Sequence, residues 1–84
     1  MSRRLEPDFR KQLAQRPDAR FDAIVVAAHG VEELRGCLPP EITVRREFKL
    51  VPSLEVRGPG AALLTLAEEQ EVRSIEPVRT VTST

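Results

Sequence analysis

At 84 residues the chain is long enough for one domain with a small core and too short for two. It is 40% hydrophobic and 31% charged, with thirteen basic residues against thirteen acidic ones, a balance that is globular rather than disordered. Zero net charge, three Phe and no Tyr or Trp argue against a nucleic-acid partner, which needs a basic surface and rings to stack on bases. Cys37 is the only cysteine, so no internal disulfide can form. With a single His beside it, a zinc site is not expected, and no cofactor is. No apolar run approaches the ~20 residues of a membrane span, so no membrane partner is expected. The opening Met-Ser-Arg-Arg-Leu-Glu-Pro-Asp lacks the apolar stretch of a secretory signal. These features predict a soluble, cytoplasmic protein.

In chain order, Pro7 suits the first turn of a helix and Asp8 suits its dipole. Leu5, Phe9 and Leu13 recur every four residues, and Arg16-Pro17-Asp18 ends the segment, because the residue before a proline leaves the helical region. Residues 1–20 are therefore expected to be a helical arm docked by one face, with a frayed terminus as the alternative. Phe21-Asp22-Ala23-Ile24-Val25-Val26-Ala27-Ala28 has the β-branched centre of a buried central strand, broken by Gly30. Val31, Leu34 and Leu38 mark a short helix ended by Pro39-Pro40.

From Ile42 the period becomes two. Ile42, Val44, Phe48 and Leu50 point one way, Thr43, Arg45, Glu47 and Lys49 the other, and Arg46 is the misfit on the apolar side. Pro52-Ser53 reads as a turn before a strand containing Leu54 and Val56. Gly58-Pro59-Gly60 leads into a helix, with Pro59 in its first turn and an inner stripe of Leu63, Leu66, Ala67 and Gln70. Residues 72–81 alternate again, and Pro77 marks a sheet edge or the strand's exit.

The order strand, helix, strand, strand, helix, strand is the ferredoxin-like βαββαβ pattern: α+β, a four-stranded antiparallel sheet with two helices on one face. Residues 21–84 form this domain. Its expected core is Ile24, Val26, Leu34, Phe48, Leu50, Val56, Leu63, Leu66 and Ile75.

Catalytic parts are few. His29 beside Gly30 has no nucleophile placed for it and reads as a loop histidine. Cys37 reads as a small apolar residue near Leu34, and Glu68, Glu69 and Glu71 as a solvated acidic face. Gly58-Pro59-Gly60 lacks the lysine and glycine spacing of a phosphate loop. No enzyme is expected.

Arg46-Glu47-Phe48-Lys49-Leu50-Val51, then Leu54-Glu55-Val56, a helix ending near Glu69-Gln70-Glu71, and Val72-Arg73-Ser74-Ile75-Glu76-Pro77 together resemble the subtilisin propeptide family. The resemblance spans residues 21–84 and is densest over 46–81. It implies inhibition or assisted folding of a subtilisin-like serine protease. The open sheet face would dock on the protease, and the C-terminal tail would enter the active-site cleft like a cleaved product. By the family pattern Glu76 faces the N-termini of protease helices, while the second acidic position falls on the apolar Val78. The ten residues from Ile75 to Thr84 match the family's spacing to the processing point. On that alignment Thr80, Val81, Thr82, Ser83 and Thr84 form the inserted tail, flexible alone, with Thr84 in the terminal pocket and Val81 in the apolar pocket three residues before it.

Fold alone warrants no function. The alternative is a non-catalytic regulatory or oligomerisation domain that binds a small molecule or itself. The expected form is a free-standing propeptide-like protein, a monomer when free, or else an excised prodomain, which would be extracellular.

Overall fold

The computed structural model describes residues 5–78. Helix α1 (Pro7–Gln15) precedes strand β1 (Arg20–Ala27), helix α2 (Val31–Gly36), strands β2 (Thr43–Phe48) and β3 (Ser53–Pro59), helix α3 (Gly60–Leu66) and strand β4 (Val72–Pro77). The sheet order is β2-β3-β1-β4, every pair antiparallel. This is the ferredoxin-like α+β arrangement, two interleaved βαβ units, with α1 added ahead of it.

The apolar run of β1 has to choose a face, and pairing decides it. Ala23 and Val25 stand opposite Val56 and Leu54 and are fully buried beneath the helices. Ile24 and Val26, expected in the core, have the other parity and lie half-buried on the helix-free face. Asp22 carried the clue: it shares parity with Ile24 and Val26, and a carboxylate does not belong under the helices.

A second correction comes from a bulge in β2. Val44 pairs with Val56 but Arg46 already pairs with Glu55, leaving Arg45 unpaired. One extra residue reverses the parity of everything after it. Ile42 and Val44 therefore pack toward the helices, whereas Arg46 and Phe48 emerge on the open face. Glu47 lands on the helix side, where Arg35 of α2 donates to its Oε1 at 2.8 Å. Phe48 is half-buried and Leu50, at the turn between β2 and β3, is 101% exposed. Neither belongs to the core.

Both crossover helices are shorter than their apolar patterns. α2 ends at Gly36, with Cys37 as its C-cap, and leaves Leu38 half-buried beyond it. α3 starts after Pro59, which is its N-cap, and ends at Leu66, so Gln70 lies exposed in the following turn. α1 fills the space they leave. Leu5, Phe9 and Leu13 join Leu34, Leu54, Leu63, Leu66, Val72 and Ile75 in one buried cluster. The Phe9 ring meets Phe21 edge to face at 6.1 Å, and Leu5 bridges Ile75 on the outer side of β4. The arm is docked by one face, but it is part of the single core.

Gly60 shows how tightly. A β-carbon there would sit 2.7 Å from Leu13 O and 2.8 Å from Arg16 O. The same approach lets Gly60 N–H donate to Ala19 O and Ala61 N–H to Pro17 O, each at 3.0 Å, satisfying orphan donors of the α3 first turn. Gly60→Ala should therefore destabilise the fold by about 1–3 kcal/mol, read as a lower urea midpoint. A midpoint equal to wild type would show that this junction yields freely.

Candidate functional site

The helices cover one face of the sheet, and among the described residues no element covers the other. Antiparallel partners share a face, so the register arranges the open face in three rows. Phe48, Ser53, Val26 and Ser74 form one row, and Arg46, Glu55, Ile24 and Glu76 the next. Thr43, Arg57 and Asp22 form the third, extended by Val78, whose N–H donates to Asp22 O at 3.2 Å.

An apolar strip of Ile24, Val26 and Phe48 thus crosses the face, each side chain half-buried, and Leu50 and Val51 continue it at the hairpin turn. Charge surrounds it unevenly. Arg46, Arg57 and Glu55 stand on the β2–β3 half, Asp22 and Glu76 on the β1–β4 half. Asp22 Oδ2 lies 3.7 Å from Arg57, while its buried Oδ1 has no hydrogen-bond partner among the described residues.

Glu76 is exposed on β4 beside Ile24. Val78 is half-buried one residue past the end of β4, on the same face. Thr80, Val81, Thr82, Ser83 and Thr84 lie outside the described residues. Sequence reasoning missed Ile24, Val26, Phe48, Arg46 and Arg57 as members of this face. Two signals were available: Asp22, which shares parity with Ile24 and Val26, and Arg46, whose break in the β2 alternation marked the bulge.

The other candidates have ordinary surroundings. His29 Nδ1 and Glu71 Oε2 are 3.2 Å apart, with the imidazole 67% exposed, a pair that solvent screens. Cys37 Sγ donates to Leu34 O at 3.2 Å. Burial pushes the Cys37 thiol up from its usual value, and the charges of Glu69 and Glu71 push it further. A thiol held protonated is a poor nucleophile. Two shallow grooves run beside α1. One, of about 300 Å3, is lined by Gln12, Gln15, Arg16 and Phe21; the other, of about 270 Å3, includes Glu6, Phe9 and Pro77.

Among the described residues, no group of three or more His, Cys, Asp and Glu is placed to hold a metal ion. No helix there is long and apolar enough to cross a membrane. Comparison with family models, curated proteins and solved structures gives no match to the chain.

Proposed function

We propose that this chain is a binding protein without catalysis of its own, a propeptide-like inhibitor or folding chaperone of a subtilisin-like serine protease. The observation that carries the reading is the helix-free sheet face, with its half-buried apolar strip and Glu76 exposed on the edge strand. A rigid, partly apolar face suits a protein surface better than a small molecule, which needs an enclosing pocket. The chain leaves β4 next to Glu76, so a segment that begins there starts at the rim of the docked face. In this mechanism the face supplies the area, the Glu76 carboxylate meets helix N-termini, and the tail blocks the cleft by strand pairing.

The test is inhibition of a panel of subtilisin-like serine proteases by the wild type and by Glu76→Ala. Wild type should inhibit at least one protease. Glu76→Ala should bind several-fold more weakly, with the difference shrinking at high salt. Its folding stability should change by less than about 0.5 kcal/mol, because an exposed edge side chain holds nothing else in place. No inhibition across the panel at micromolar concentrations would sink the reading.

A further inference from the structure

We infer that the open face also recognises itself, so that the free chain forms a reversible two-fold dimer, sheet against sheet, as its concentration rises. This rests on the charge pattern of the face and holds whether or not the protease reading does. A two-fold axis running between two facing sheets can lie along the strands or across them. Lying along the strands, it exchanges β2 with β4 and β3 with β1, because the sheet order is β2-β3-β1-β4. Arg46 then stands over Glu76 of the second copy, and Arg57 over Asp22 of the second copy, each contact made twice. In the same superposition Phe48 meets Ser74 and Thr43 meets Val78, while Val26 stands over Ser53, which is already buried on its own chain.

Glu55 meets Ile24 of the second copy, but it keeps Arg46 as its cross-strand neighbour on its own chain. The axis across the strands does the opposite. It stacks Arg46 on Arg46 and Glu76 on Glu76, which like-charge repulsion forbids. One arrangement is self-complementary and the other self-repelling, so charge selects the geometry. An isologous contact of this kind closes at two copies, and its strands run within roughly 30° of alignment, as in packed sheets generally.

The size of the face sets the strength. Four strands about 4.8 Å apart and some six residues long, at about 3.3 Å each, give a flat footprint of roughly 400 Å2. That places the contact at the low end of specific interfaces, where association is transient. A weak dimer hides the apolar strip in a concentrated solution and releases it on dilution. The same face cannot hold a protease and a second copy together, so dimerisation would compete with inhibition.

Sedimentation equilibrium over a concentration series reaching the millimolar range tests this with the full chain. Wild type should pass from one chain mass toward two. Arg46→Glu alone and Glu76→Arg alone each set like charges face to face, and should weaken association at least about tenfold. Mixing the two single variants restores both pairs across a heterodimer, and the double variant restores them in a homodimer; both should recover wild-type association. Recovery also shows that the variants are folded. A wild type that stays monomeric throughout, single variants that associate like wild type, or a mixture that fails to recover would each overturn the dimer. Inhibition is measured separately. A monomer that inhibits removes the dimer alone, and a dimer that inhibits nothing removes the protease reading alone.

Discussion

Leu13→Ala should lower the unfolding free energy by about 2–5 kcal/mol. Leu13 is 0% exposed, in the same cluster as Leu34, Leu63 and Leu66. The cavity left by truncation would be slow to close, because the backbone around it is already in contact. Leu13 O lies 2.7 Å from where a Gly60 β-carbon would sit, so α1 has little room to settle further onto α3. A nine-residue helix has little stability by itself, and α1 persists through burial of Leu5, Phe9 and Leu13. For a domain whose total stability is of order 5–15 kcal/mol, the loss is a large fraction. Urea unfolding of Leu13→Ala against Lys11→Ala measures it, since Lys11 is exposed on the same helix and its change should stay within about 0.5 kcal/mol. If Leu13→Ala melts like wild type, the arm is dispensable and residues 21–84 stand alone.

Deleting Val81, Thr82, Ser83 and Thr84 should weaken protease inhibition at least tenfold while leaving the melting temperature nearly unchanged. The expectation follows from the proposed mechanism. Holding five residues in one extended conformation costs about 5–10 kcal/mol of backbone entropy, so a tail that contributes to binding must gain more than that in the cleft. Strand pairing and burial of Val81 are the available gains. Losing them removes affinity without touching the core, whose buried members in β4 are Val72 and Ile75. Inhibition constants of the full and shortened chains, measured on one protease that the full chain inhibits, decide the matter. Equal constants would eliminate the product-like tail even if the sheet face were the true docking surface.

Much of the architecture was legible in the residues themselves. Arg16-Pro17 ends α1, the β-branched run from Phe21 makes the interior strand, Pro77 closes the edge strand, and the element order yields the ferredoxin-like fold. These follow from local physics: proline's missing donor, fixed ring torsion and constraint on the residue before it, and the side-chain volume of β-branched residues. The composition of the open face was not legible, for two reasons that differ in kind. In β1 the residues from Ala23 to Ala27 are apolar at every position, so within that run no alternation says which face is inward, and the one hint is Asp22 just before it. Only pairing of Ala23 and Val25 with Val56 and Leu54 decided it. In β2 the alternation was clear but was interrupted by one unpaired residue, and the helix side of the strand changed partway along.

Glu76 needed neither correction, because the irregularity in β4 falls at Arg73, and from Ser74 through Ile75 to Glu76 the strand alternates as read. What the chain by itself determined is therefore the set of elements, their order and the parity within each uninterrupted strand. Only the tertiary structure decided that Ile24, Val26 and Phe48 lie on the open face, and that the arm completes the core. Both are products of contacts between residues far apart in the chain, and side-chain periodicity carries no record of such contacts.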